Sequence, residues 1–421
     1  MKGAPGSKET AIESDQDRKA AQGVRGIPRG IWALGFVSMF MDISSEMTHS
    51  LLPVFLVTVL GASATAVGVL EGVAEATVLG VKMFSGALSD WLGKRKGLAL
   101  LGYGMAALTK PLFPLAGSYA VVFIARLTDR VGKGMRGAPR DALVADLAPA
   151  KLRGASYGLR QSLDTLGALG GPLAAVLLML ASGGDFRLVF WIAVLPAFVS
   201  VAMLALFVHE PSRRSGPQEM RPQLRWRDLR SCPPAFWPVV GIGAVFTLAR
   251  FSEAFLVLRA GSLGLGNNYV PFVLVVMNGV YAASAYPAGR LSDRIDRRRV
   301  LAAAAAALLV ADVILARAAG TAALMAGVAL WGLHMGLSQG LLAALVADAA
   351  PSERRGTAFG LFNLVSGGVL LVASVVAGGL WDRIGAPATF YAGAGFAAVA
   401  LLGLIFQMQM RPKGSGAAAN Q

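Results

Sequence analysis

The sequence predicts an all-α membrane protein in which twelve transmembrane helices form two homologous six-helix bundles. Three observations predict it. Of 421 residues, 55% are hydrophobic and 15% charged, whereas a soluble domain carries about 25% charged residues. Apolar runs recur along the chain, each about 20 residues and long enough to cross a hydrocarbon core. Two motifs also repeat at nearly one spacing. GALSDWLGKRK (86–96) returns as GRLSDRIDRRR (289–299), offset by 203, and ADLAPAKLRGASYGL (145–159) returns as ADAAPSERRGTAFGL (347–361), offset by 202. Unrelated motifs sharing an offset imply a duplication, and parallel repeats of this kind bracket a central pathway through the membrane.

Residues 1–30 are polar, with no apolar stretch ahead of a small-residue cleavage site, so a tail is expected there and not a signal peptide. Helices are expected near 31–60, 66–89, 97–116, 119–145, 155–181 and 188–208, which make the N-terminal bundle, 31–208. The stretch 209–235 carries six arginines against Glu210, Glu219 and Asp228 and reads as a basic linker. The second bundle, 236–410, is expected to hold helices near 236–260, 270–291, 300–317, 322–347, 357–381 and 389–410, with a short tail at 411–421. The loops at 93–96 and 293–299 are strongly basic, whereas those at 61–65, 117–119, 183–187 and 261–269 hold only Arg187. The positive-inside rule then places both termini and the linker in the cytoplasm, for a multi-pass protein of the plasma (inner) membrane.

The net charge of +15 sits mostly between apolar runs, where it sets topology, so no nucleic-acid partner is expected. The single cysteine, Cys232, excludes an intrachain disulfide, and three histidines are too few for a His-rich metal site.

Acidic residues inside apolar spans carry the functional signal. Asp42, Glu46 and His49 share one face of helix 1; Glu71, Glu75 and Lys82 nearly share one face of helix 2. Each ionisable group at mid-membrane costs roughly 2.5–3.5 kcal/mol on insertion scales, so these acids must face a cavity or one another. Neighbouring carboxylates suit proton exchange or the binding of a cation. Structurally, Glu75 could instead pair with Lys82, and Asp42 or Glu46 pack against Ser44, Ser45 and Thr48. Helix 4 supplies counter-charges on one face: Arg126, Asp129, Arg130 and Lys133. Arg160 and Asp164 on helix 5 are spaced as a pair, so an Arg126–Asp164 or Asp129–Arg160 contact is expected. GKGMRGAPRD (132–141) lacks the Gly-Lys-Ser/Thr of a phosphate loop; it reads as the end of helix 4, with Arg136, Arg140 and Asp141 paired to the helix 2–3 loop.

The loop Gly86, Asp90, Gly93, Lys94 and Arg95 resembles the helix 2–3 signature of the major facilitator superfamily, Gly-x-x-x-Asp-(Arg/Lys)-x-Gly-Arg-(Arg/Lys), with Trp91 where a basic residue is usual. The second copy keeps Gly289, Asp293 and Arg294 but has Asp296 in place of the second glycine. The resemblance spans 31–411. It implies that Asp90 caps helix 11 near Gly356 and Thr357, that Asp293 caps helix 5 near Gly154 and Ala155, and that these gating contacts break as the cytoplasmic side opens. Arg126 aligns with the arginine of the helix 4 signature Arg-x-x-Gln-Gly-x-Gly, which the family ties to proton coupling; Asp129 and Arg130 depart from it and Gly132 matches. Gly167, Gly171 and Pro172 partly match Gly-x-x-x-Gly-Pro, a signature of exporters that run as antiporters. MDISSEM (41–47) and DRVGKGMRGAPRDAL (129–143) resemble a bacterial permease branch in which some members export metal ions, nickel in particular.

The second half is poorer in charge. Arg250 and Glu253 on helix 7 are spaced to neutralise each other, and Arg259 lies toward the outer rim. Asn278, Tyr281, Tyr286, His334, Gln339 and Asn363 are candidates for the cavity wall, while Asp312 and Arg317 have no assigned role. The expected protein is therefore not an enzyme but a monomeric secondary transporter, with no cofactor and an ion gradient, first of all protons, as its driving force. Its partners are the bilayer and a small-molecule or ion substrate. The leading expectation is efflux of a drug-like cation, which Met39, Phe40 and Met41 beside Asp42 allow. Export of a divalent metal ion, or symport uptake of an anionic metabolite or siderophore, remains open, the latter through Arg126, Arg130, Arg160 and Arg250.

Overall fold

The computed structural model describes residues 26–92, 94–149, 152–210, 236–350 and 355–409. The expected tails and linker, with Cys232, fall almost wholly outside them. Twelve helices follow in order: α1 (Arg29–Thr58), α2 (Ala64–Leu92), α3 (Arg95–Thr109, then Leu112–Leu115), α4 (Tyr119–Leu147), α5 (Arg153–Ala181) and α6 (Phe186–Phe207). In the second half come α7 (Phe236–Ala249, then Ala254–Ser262), α8 (Phe272–Ser292), α9 (Arg297–Arg317), α10 (Thr321–Ala349), α11 (Arg355–Arg383) and α12 (Ala386–Gln409).

Ten of these are long and apolar enough to cross a membrane; α1 and α4 fall short. Those two carry Asp42, Glu46, His49, Arg126, Asp129, Arg130 and Lys133, and they enter a membrane because these groups pair within the bundle or face its cavity instead of lipid. The outside shows the converse: Leu108, Leu195 and Leu206 are each about two-thirds exposed, apolar surface that lipid covers. The protein is a multi-pass integral membrane protein.

Two helices break. Pro111 has no N–H to continue α3, and the chain turns at Lys110–Pro111. In α7 the Ser252 hydroxyl accepts the Ala254 N–H at 3.2 Å, restarting the helix, while the Ser252 N–H donates to Ser374 Oγ at 3.3 Å.

The halves repeat one packing scheme. In the first, α4 packs on α2 and α3, and α1 on α5; in the second, α10 packs on α8 and α9, and α7 on α11. The repeated motifs meet through equivalent ion pairs, Arg95 with Asp146 and Arg297 with Asp348. Across the halves α2 packs along α11, α5 on α8, and the second segment of α7 on α1.

The apolar core shows which end is closed. At the end remote from the basic loops, one cluster runs through both halves and includes Leu51, Phe55, Phe190, Phe255, Trp331 and Phe390. At the basic-loop end the core divides into separate clusters, around Tyr103 and Leu204 in one half and around Leu301 and Phe236 in the other. The bundle is sealed at the far end and parted at the basic-loop end.

Candidate functional site

The parting exposes a central cavity with three lobes of about 330, 460 and 190 Å³. Glu46 and Lys133 line the first and third, Lys82 the first and second, and Arg250 the second and third, so the lobes are parts of one space.

Helix α1 brings Asp42 and Glu46 to this space because α5 approaches it closely. A methyl on Gly167 would sit 2.9 Å from Asp42 Cβ, and one on Gly171 would sit 2.7 Å from Glu46 Cβ. The two small residues of the Gly-x-x-x-Gly-Pro stretch thus let α5 lie against the turns that bear the carboxylates. Asp42 and Glu46 make no hydrogen bond or close ion pair with any described residue.

The acids of α2 are arranged differently. Buried Glu71 accepts from Arg126 Nη2 at 2.9 Å, and the same nitrogen lies 2.6 Å from His49 Nδ1. A guanidinium only donates, so His49 Nδ1 is the acceptor and the ring proton sits on Nε2. Glu75 lies 3.5 Å from Arg130, not against Lys82. Asp129 also differs from expectation: its partner is Lys110 of the α3 break, 3.1 Å away and fully buried, which also donates to Ser45 Oγ. The expected Arg126–Asp164 and Asp129–Arg160 contacts are therefore not formed. Arg126 meets Glu71 of α2 and His49 of α1, and Asp129 meets Lys110 of α3.

Arg160 and Asp164 do pair, at 2.9 Å, within a ring that includes Arg140 and Asp141. This ring ties the end of α4 to α5. Arg140 and Asp141 thus turn toward α5 and not toward the helix 2–3 loop, and Arg136 lies over the Tyr103 ring at 4.6 Å. The loop contacts α4 through Arg95 and Asp146 instead.

In the second half, the α7 break separates Arg250 from Glu253. They form no ion pair with each other, and both line the cavity. Tyr281 donates to Gln339 at 3.3 Å, and Asn278 donates to the Ala168 carbonyl of α5, linking the halves. His334, Gln339 and Asn363 line the second lobe, whereas Tyr286 is exposed. Arg259 is buried and donates to the carbonyls of Leu315, Ala316 and Ala318, closing the end of α9. Asp312 is buried outside the cavity with neither oxygen hydrogen-bonded, and Arg317 is exposed.

Of the gating residues, Gly86 lies on α2, Lys94 just ahead of α3, Arg95 at its start, and Gly289 near the end of α8. The side chains of Asp90 and Thr357, the surroundings of Gly356, and Gly93 as a whole lie outside the described residues. Asp293 and Arg294 are exposed, and their side chains make no hydrogen bond or ion pair with a described residue; Gly289 and Gly154 each face open space. At the sealed end a different cross-half cap is made. Asp382, at the end of α11, accepts from Ala64 N at 3.0 Å, Thr65 N at 2.8 Å and Thr65 Oγ1 at 2.6 Å, capping the start of α2.

Sequence reasoning missed Lys110 and Asp382. Lys110 left a signal, being the lone charge in an apolar span. Asp382 left none, since its partners stand 317 and 318 residues away.

Comparison with known proteins matches this architecture. The chain is 31% identical over 388 residues to an uncharacterised MFS-type transporter of Methanocaldococcus jannaschii, covering 91% of this chain and 96% of that one. Over 196 residues it is 24% identical to the quinolone resistance protein NorA of Staphylococcus aureus, covering 46% and 49% of the two chains. A solved POT family transporter in complex with 5-aminolevulinic acid superposes with a TM-score of 0.76 at 12% identity, covering 92% of this chain and 96% of that one. The family model of the Major Facilitator Superfamily matches residues 34–277 and 251–420, so the chain belongs to that superfamily and is a transporter, not an enzyme.

Proposed function

We propose that this transporter exports a small organic solute bearing a cationic group in exchange for protons, by rocking its two halves about the central cavity. One observation carries the reading. Asp42 and Glu46 on α1, and Glu253 on α7, face the cavity without an ion-pair partner among the described residues, while Glu71, Glu75, Asp129 and Asp164 each have a basic one. Carboxylates held in this way can take either a proton or a cationic group, and that competition is the basis of antiport. Arg126 and Arg130 neutralise the buried acids behind them, keeping α2 and α4 together while α1 exchanges its cargo. The Gly167–Gly171 approach to α1 and the partial similarity to a quinolone resistance protein support export. With the basic loops cytoplasmic, the parted end is the cytoplasmic one, so the state described here is loading-competent in the inner membrane.

A divalent metal ion has less support as cargo. Among the described residues no three His, Cys, Asp or Glu side chains converge as a ligand set.

Everted vesicles with an acidified lumen and a pH-sensitive dye test the reading. Addition of organic solutes that bear an ammonium group, with or without an acid group, should release luminal protons, and Glu46→Gln and Arg126→Ala should each abolish the release while membrane insertion persists. Wild-type proton release in Glu46→Gln would remove that carboxylate from the mechanism, and silence across all the ammonium-bearing solutes would overturn export.

A further inference from the structure

The cavity is not uniformly acidic. Its second lobe, about 460 Å³, is formed by α2, α7, α10 and α11, and among the described residues its charged lining is Lys82 and Arg250. Neither cation makes a hydrogen bond or close ion pair with a described residue. The rest of that wall is aromatic and amide-bearing, with Phe246, Phe362, Gln339 and Asn363. The first lobe, across the shared Lys82, contains Asp42 and Glu46 together with Lys133, Arg136 and the Arg140–Asp164 pair. Acids without an ion-pair partner among the described residues (Asp42 and Glu46 on α1, Glu253 on α7) and cations likewise unpaired (Lys82 on α2, Lys133 on α4, Arg250 on α7) thus face one space, with both signs of charge from each half of the molecule. These charges balance, so a purely cationic solute held by the acids would leave cations in excess as the halves close around it and water is expelled, and a desolvated unpaired charge is strongly penalised. A purely anionic solute would leave Asp42 and Glu46 in the same position.

We infer that the substrate is amphoteric: a small molecule with an ammonium group that sits at Asp42 and Glu46, an acid group that sits at Arg250 and Lys82, and an apolar or aromatic body between them. This rests on the reading of the cavity as the transport site and adds the anionic half of the ligand. Arg250 has the geometry for it, since its planar guanidinium can donate twice to one carboxylate. It stands at the α7 break, where a bound acid group would tie the second half to a solute already held by α1. The substrate would itself bridge the two halves.

Ciprofloxacin carries both a carboxylate and a piperazinium; its ethyl ester keeps only the cation, and its N-acetyl derivative keeps only the anion. Binding of the three to the purified full-length protein in nanodiscs is read by ligand fluorescence, and flux in everted vesicles by luminal pH. Ciprofloxacin should bind about tenfold or more tightly than either derivative, because each leaves buried charge unpaired. Arg250→Gln should abolish its advantage over the ester without weakening ester binding. Glu46→Gln should abolish its advantage over the N-acetyl form. An ester that binds as well as ciprofloxacin, with Arg250→Gln silent, overturns the amphoteric assignment and leaves export of a cation standing. Preference for the N-acetyl form overturns both. Selective binding of ciprofloxacin without proton-linked flux upholds the substrate class and sinks the coupling. Binding of none of the three overturns the assignment.

Discussion

Lys110 and Asp129 show how one residue's meaning depends on a partner from another helix. Both are fully buried, and each neutralises the other across the α3–α4 contact. Removing one partner of such a pair leaves a charge in low dielectric, at a cost of about 3–5 kcal/mol. Lys110→Met should therefore destabilise the purified protein by that order, and adding Asp129→Asn should recover most of the loss. Thermal unfolding in detergent across the double-mutant cycle reads this directly; a double-variant loss equal to the sum of the two single losses would show that the pair does not act as a unit. The Glu71–Arg126–His49 set was half legible from sequence. Spacing placed Glu71 on a helix 2 face and Arg126 on a helix 4 face, but spacing within a helix says nothing about which neighbouring helix its face meets. For that reason Arg126 pairs with Glu71 and not with Asp164.

At the scale of the helix, three neighbouring glycines of α5 separate packing from composition. Gly167 and Gly171 touch the α1 backbone, whereas a methyl on Gly170 would meet only Ile43 Cγ1 at 3.8 Å. Gly171→Ala should push α1 away at Glu46 and lower transport at least several-fold. Gly170→Ala should leave transport intact and stabilise the helix by about 0.5–1 kcal/mol, as a less flexible residue does inside a helix. Parallel flux and melting measurements decide it, and equal effects at the two positions would contradict the close-approach role. The break in α7 belongs to the same scale. No proline or glycine marks it in LARFSEAF (248–255), so periodicity read a continuous helix. Ser252 makes the break because Ser374 of α11 takes its N–H, and that partner is known only once the helices are assembled.

Across the whole molecule, closure at the far end rests on apolar packing plus one charged cap. Loss of the Asp382 cap by Asp382→Ala should weaken the sealed end by about 0.5–2 kcal/mol. A change of 1 kcal/mol shifts a two-state population about fivefold, toward conformers open at that end. With Cys232 replaced by serine, spin labels at Val59 and Asn267, on exposed loops of opposite halves, should report a broader and longer distance distribution in the variant. An unchanged distribution with lowered melting temperature would make Asp382 a stability element only.

The amino-acid sequence by itself determined the membrane class, the twelve spans, the duplication and the faces on which charge sits. Each of these follows from local hydrophobicity or from a repeat, which chain order alone carries. Tertiary structure decided the pairing and the state. Lys110 found Asp129, Asp382 found the start of α2, and Asp42 and Glu46 were left facing the cavity, because those outcomes depend on which helices become neighbours and which end of the bundle seals.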